Sequence, residues 1–263
     1  MPQVISPSGI PIAYEVHGTG TPALVFVHGW SCDRGYWKGQ LESFSKRFTV
    51  VAVDLGGHGE SGDQRSAWTI REFGTDVAAV IETLRLNRTI LIGHSMGGDV
   101  IVEAARMLRN RVLGLVWVDV YQKLGQPRSP EDVQTFVASI VADFVKETQS
   151  LVRTMFSPSA DSALVEFIAE DMSAAPSRVA LPALESALSF DREIPSALAK
   201  LGLPVIAINP DYAPTDADSL GRHGIDVMIM PGVGHFLMLE DPEGFNPLLD
   251  TAIAKLVTQS PSR

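Results

Sequence analysis

The chain has 263 residues, 45% of them hydrophobic and 20% charged, which is ordinary for a globular protein and enough to bury a large core without covalent staples. Its 31 acidic and 21 basic residues give a formal charge of −10, and with no basic stripe this argues against nucleic acid as a partner. The single cysteine, Cys32, excludes an internal disulfide and fits a reducing compartment.

The opening segment Met1-Pro2-Gln3-Val4-Ile5-Ser6-Pro7 lacks the basic and apolar regions of a secretion leader. No apolar run reaches membrane-spanning length, so a soluble, cytoplasmic protein that engages no membrane is expected. Residues 10–16 read as a strand, closed by Gly18 and Gly20. Residues 23–27 are wholly apolar, the mark of a strand covered on both faces, and end in His28-Gly29-Trp30. Trp37, Leu41 and Phe44 fall at helical spacing within residues 33–47. A second buried strand over 48–53 runs into Asp54-Leu55-Gly56-Gly57-His58-Gly59-Glu60-Ser61. Residues 69–86 form a helix with Ile70, Phe73, Val77, Val80, Ile81 and Leu84 on one stripe. The apolar run 89–92 then leads through Gly93-His94-Ser95-Met96-Gly97-Gly98 into a helix-like run from Val100, and residues 113–118 are a further buried strand ending at Asp119.

The alternation stops there. Residues 121–200 read as helices without strands. The clearest starts at Ser129 with Pro130 in its first turn. Val133, Phe136, Val137, Ile140, Val141, Phe144 and Val145 form one unbroken stripe, and another begins at Leu151. About 80 residues is too long for a plain crossover between parallel strands. The sheet resumes over 204–208 and 225–230, followed by Pro231-Gly232-Val233-Gly234-His235-Phe236 and a closing helix over 241–257. The expected fold is α/β: a doubly wound, mostly parallel sheet formed by residues 1–120 and 201–263, with residues 121–200 inserted as a helical cap. In such sheets ligands gather beyond the carboxyl ends of the strands, where His28, Asp54, Ser95 and Asp119 all fall.

Gly93-His94-Ser95-Met96-Gly97 is a G-x-S-x-G segment between a strand and a helix, a setting that lifts a serine hydroxyl above the sheet on a strained turn. The same segment also reads as a serine-capped helix with glycine neighbours. A serine hydroxyl needs a base, and the base needs an orienting acid. Where such a serine sits on this turn, the acid and then the histidine follow it along the chain, which leaves His223 and His235; His235, just past the last strand, is the candidate base. The backbone N–H groups of Met96 and Trp30 are the candidate oxyanion donors. The Trp30 indole either walls the acyl pocket or simply packs. Cys32 lies outside the elbow and reads as a buried packing residue rather than a nucleophile. No cluster has metal-ligand spacing and no glycine loop makes a full nucleotide motif, so neither a metal nor a cofactor is expected.

His28-Gly29-Trp30, the Asp54–Ser61 loop, Gly93-His94-Ser95-Met96-Gly97-Gly98 and Gly232-Val233-Gly234-His235-Phe236 stand in the order found in the α/β-hydrolase fold superfamily. The chain resembles its lid-bearing esterases, lactonases and cofactor-free haloperoxidases across nearly all of its length except the cap. The resemblance implies a serine hydrolase and does not fix its substrate, because this fold hosts many chemistries. A small carboxylic ester or lactone is the expected substrate, with the apolar cap pointing to acyl groups or aromatic esters, acyl-homoserine lactones among them, and a monomer or homodimer is expected. Many of these relatives carry the acid after the strand that resumes the sheet, but here that position is Ala213, in Pro210-Asp211-Tyr212-Ala213-Pro214. Asp119 is favoured instead, as in some dehalogenases and cofactor-free dioxygenases of this fold, with Asp211 and Asp216 as alternatives and Glu240 expected to face solvent. Two other functions stay open: a cofactor-free dioxygenase acting on a quinolone-like ring, and a non-catalytic binding protein.

Overall fold

The computed structural model describes residues 1–259. Its apolar runs become the strands of one sheet: β1 (Gln3–Ile5), β2 (Pro11–His17), β3 (Ala23–Val27), β4 (Thr49–Val53), β5 (Thr89–His94), β6 (Val112–Val118), β7 (Val205–Pro210) and β8 (Ile225–Met230). They lie in the order β1-β2-β4-β3-β5-β6-β7-β8. β2 pairs antiparallel with both β1 and β4 at one edge, and the remaining pairings are parallel. β3, β4 and β5 are buried almost throughout, as expected for strands covered on both faces, whereas the edge strand β8 leaves Asp226 and Ile229 exposed.

Between the first strands lie α1 (Lys38–Phe44), preceded by a single 3₁₀ turn, α2 (Ile70–Thr83) and α3 (Met96–Leu108). Thr69 caps α2 by accepting the Glu72 N–H, and the stripe Ile70, Phe73, Val77, Val80 and Ile81 is buried. Phe26 and Trp37 pack with ring centres 5.1 Å apart, both fully buried. Side chains of that size each contribute roughly 1.5–3 kcal/mol on burial, so this sheet–helix layer needs no staple.

Between β6 and β7 the chain is helical: α4 (Pro130–Val141), α5 (Phe144–Arg153), α6 (Ser162–Ser173), α7 (Ser177–Phe190) and α8 (Ile194–Leu201). Ser129 and Asp132 form a reciprocal capping box at the start of α4. The apolar stripe is not continuous as the spacing predicts. α4 stops at Val141, and Asp143 caps a new helix by accepting the Lys146 N–H. Phe136, Val141 and Val145 are left exposed rather than packed. α4 and α7 pack together, as do α5 and α6, while α8 lies on α3 of the sheet layer. Closing the fold are α9 (Ala217–Gly221), α10 (Leu237–Glu240) and α11 (Pro242–Gln259). Among the described residues no helix is long and apolar enough to cross a membrane.

The order β4-β3-β5 makes β3 the point where the chain first turns one way along the sheet and then the other. Loops leaving β3 and β5 therefore diverge, opening a crevice at their carboxyl ends.

Candidate active site

Ser95 stands where β5 turns into α3. Its φ of +51° is left-handed, a conformation that costs a side-chain-bearing residue about 1–2 kcal/mol. Two bonds hold it: Ser95 N–H donates to Val118 O at 3.0 Å, and Gly98 N–H donates to Ser95 O at 2.9 Å. Space dictates the flanking glycines. A Cβ on Gly93 would lie 2.3 Å from Gly97 O, and one on Gly97 would lie 2.5 Å from Val27 O.

Sheet register then places Asp119. His94 pairs with Val118, so Ser95 and Asp119 leave adjacent strands at the same level. Asp119 is also left-handed, at φ +46°, and its N–H donates to Ile208 O at 3.0 Å.

His235 arrives from the loop after β8. Its N–H donates to Met155 O at 2.7 Å, and Gly234 passes so close to Met155 O that a Cβ there would sit 2.4 Å away. His94 Nε2 donates to the His235 carbonyl at 2.9 Å, tying the base's loop to the strand that carries Ser95. Glu240 does not face solvent as expected from the sequence. It is half-buried, accepting the Gly234 N–H at 2.9 Å and the Ser157 hydroxyl at 3.2 Å, because the short α10 turns it back under the loop.

His235 Nδ1 lies 2.5 Å from Asp119 Oδ2. The Asp119 side chain is fully buried and also accepts from Gln122 Nε2 at 2.7 Å and Tyr212 OH at 3.3 Å. A carboxylate can only accept, so Nδ1 carries the hydrogen and Nε2 is the nitrogen left for other chemistry. Ser95, His235, Trp30 and Tyr212 line one cavity of about 240 Å³. Gln122 and Tyr212 are supports that no sequence pattern announces. Polar loop residues leave no periodic signal, although Tyr212 adjoins the alternative acid Asp211.

The loop after β3 runs against the serine, since a Cβ on Gly29 would lie 3.3 Å from Ser95 Cβ. Trp30 N–H follows in that loop, and Met96 N–H opens α3. Among the described residues neither amide is engaged by another protein group. The Trp30 indole both lines the cavity and packs, donating to Ala180 O of α7 at 2.7 Å.

The alternative acids are elsewhere. Asp211 is exposed and accepts the Gly232 N–H at 2.9 Å, and Asp216 caps α9 through the Ser219 N–H at 2.8 Å. His223 follows α9 and lies away from the cavity lining. His28 accepts the Leu55 N–H on Nε2 and donates from Nδ1 to Gly29 O, linking two strand-end loops; burial lowers its pKa to about 4, so it stays neutral. Burial likewise takes His58 to about 3. Cys32 lines the cavity, but burial pushes its thiol well up and Sγ donates to Trp30 O, which suits packing rather than attack. Among the described residues no three His, Cys, Asp or Glu side chains converge to hold a metal.

Behind the serine, Asp99 lies buried in the first turn of α3, accepting the Tyr121 hydroxyl at 2.8 Å. Burial raises its pKa to about 8, partly offset by that hydrogen bond. The folded chain therefore keeps a proton that an unfolded aspartate loses near pH ~4. The stabilising contribution is complete below about pH 4 and is lost as pH rises toward 8. Urea unfolding of Asp99→Asn, whose amide still accepts from Tyr121, is expected to show a shallower loss of stability over that range than the parent chain. Parallel curves would show that Asp99 titrates normally.

Comparison with known proteins adds three findings. A curated relative, the dihydrolipoyllysine-residue acetyltransferase component of the acetoin cleaving system from Cupriavidus necator, is 33% identical over 110 residues, which is 42% of this chain and 29% of the relative. The chain spans less than a third of the length of the first curated relatives that it matches. Among solved structures, a thermophilic esterase from Thermogutta terrifontis superposes with a TM-score of 0.83 at 23% identity, covering 97% of this chain and 98% of that one. The enol-lactonase from Burkholderia xenovorans LB400 gives 0.80 at 18% identity, covering 98% and 100%. Identities this low speak to the fold alone. The profile of the Alpha/beta hydrolase family matches residues 24–248, from β3 into α11 and through every loop described above, and the chain belongs to that family.

Proposed function

We propose that the chain is a serine hydrolase that cleaves small carboxylic esters or lactones through an acyl-enzyme. The observation that carries the reading is the short contact between His235 Nδ1 and Asp119, which leaves Nε2 free in the cavity that Ser95 lines. In this mechanism Ser95 Oγ attacks the carbonyl carbon and His235 Nε2 takes its proton. Asp119 holds the imidazole in that tautomer and stabilises the cation. The N–H groups of Trp30 and Met96 receive the developing oxyanion, each contributing roughly 3–4 kcal/mol to the transition state. The imidazolium then protonates the departing alkoxide, and water repeats the sequence on the acyl-enzyme.

The helices α4–α7 serve as a cap over the crevice. Their apolar side chains favour acyl or aromatic groups. A cavity of about 240 Å³ lies below the usual range of ~300–1,000 Å³ for ligand pockets, which favours short acyl chains or single rings. Aromatic esters and short acyl-homoserine lactones fit that description. The esterase and lactonase among the structural neighbours are in keeping with it.

Exposure to a fluorophosphonate probe tests the reading, because only an activated serine reacts. Peptide mapping is expected to place the label on Ser95, with p-nitrophenyl butyrate turnover lost in step. An unlabelled Ser95 would sink the proposal. Oxygen uptake without ester turnover would point instead to cofactor-free oxygen chemistry at the same His–Asp pair.

A further inference from the structure

The cavity holds a cation that the chemistry above does not use. Its walls are largely apolar, with Trp30, Phe136, Met155, Met172, Leu184 and Leu188 contributing. Arg128 enters this lining, and no carboxylate lines the cavity with it. The nearest carboxylates, Asp191 beside Arg128 and Asp119 beside His235, stand behind the lining, so the charged group that the cavity wall presents to a ligand is a guanidinium.

Arg128 is also held in place. Its N–H donates to Asp191 Oδ2 at 3.0 Å, and its carbonyl accepts from Arg192 Nε at 3.1 Å and Nη2 at 2.5 Å. The two residues that follow α7 therefore clamp the Arg128 backbone from both sides. The guanidinium itself is only loosely engaged: Nη1 lies 3.4 Å from Asp191 Oδ2, and the side chain is 53% exposed. A guanidinium has five N–H donors in a planar fork. Most of these donors are free to meet a ligand, and a planar fork matches a carboxylate in two-point contact.

We propose that Arg128 selects substrates that carry a carboxylate remote from the bond being cleaved, such as half-esters of short dicarboxylic acids or lactones with a free carboxylate. The inference rests on the serine-hydrolase reading of the same site. Cavity volume limits the spacer to a few carbons, because scissile group and carboxylate must share about 240 Å³ with the walls. The competing role for Arg128 is to anchor the loop before α4 through Asp191, and that role is blind to substrate charge.

Hydrolysis of monoethyl succinate and of ethyl butyrate, followed by pH-stat, separates these. The parent chain is expected to favour the half-ester in kcat/KM, with the difference residing in KM. Arg128→Gln is expected to bring the ratio of the two kcat/KM values down about tenfold, the scale of one partly exposed charged contact. Arg128→Lys, which keeps the charge but not the fork, is expected to fall between, and Arg128→Glu to reverse the preference. A ratio unchanged in all three variants, with both activities lowered together, would assign Arg128 to anchoring and overturn the proposal. A parent chain that cleaves ethyl butyrate but does not favour the half-ester would overturn it too, leaving the serine-hydrolase reading standing. A parent chain that cleaves neither would remove both.

Discussion

Replacement of Ser95 by alanine is expected to lower kcat for p-nitrophenyl butyrate by roughly 10⁴- to 10⁶-fold, the range seen when a triad nucleophile is removed. The fold should not change. Alanine keeps the Cβ, so the left-handed backbone at this position costs the same before and after. The bonds that hold the turn use the main chain of Ser95, not its hydroxyl. A thermal midpoint within a few degrees of the parent, checked by calorimetry, would separate lost chemistry from lost structure. Residual turnover above the water rate is expected, because Trp30 N–H and Met96 N–H remain to receive the oxyanion. Undiminished turnover would mean that the hydroxyl is not the nucleophile, whatever the geometry around it.

The elements most legible in the sequence were those whose local chemistry leaves no alternative. Gly93 and Gly97 flank a serine at a place where any side chain would strike the backbone of the opposite strand end or helix. The sheet was equally legible, since a strand covered on both faces must be apolar at every position, as β3 is. β1 is not legible because three residues, two of them exposed, carry no periodicity. The break between α4 and α5 was missed for a different reason: Val141 and Phe144 keep the helical phase, and only the capping by Asp143 ends one helix and starts the next. Asp119 could be singled out because it ends a strand beside the elbow and because Ala213 removes the usual rival. Its other partners could not be. Gln122 sits three residues on in the same irregular loop, which has no periodicity to read, and Tyr212 arrives from the loop after β7, 93 residues away. Glu240 reads as surface because it begins the charged pair Glu240-Asp241, yet α10 turns it under the His235 loop. Arg128 depends on Asp191 and Arg192, more than sixty residues downstream, and no pattern of spacing announces a clamp of that kind.

Replacement of Asp119 by asparagine is expected to lower kcat by about 10⁴-fold with little change in KM, while Asp211→Asn and Asp216→Asn remain within a few-fold of the parent. The reason lies in which atoms face Asp119. Gln122 Nε2 donates to Oδ1 at 2.7 Å and so claims an acceptor. An asparagine satisfies that bond by turning its carbonyl toward Gln122, which turns its NH₂ toward His235 Nδ1. Nδ1 must then accept instead of donating, and the ring hydrogen moves to Nε2. In that tautomer Nε2 has no lone pair with which to take the Ser95 proton, so the chemical step stalls although every residue stays near its place. Substrate contacts in the cavity are untouched, which is why KM should hold. Asp211 and Asp216 only accept backbone N–H groups, from Gly232 and Ser219, and an asparagine oxygen accepts these as well. Steady-state kinetics on p-nitrophenyl butyrate for the three variants distinguish the carboxylates directly. A normal kcat in Asp119→Asn, with the loss appearing in either of the other two, would require His235 to change partner during turnover and would displace Asp119 as the orienting acid.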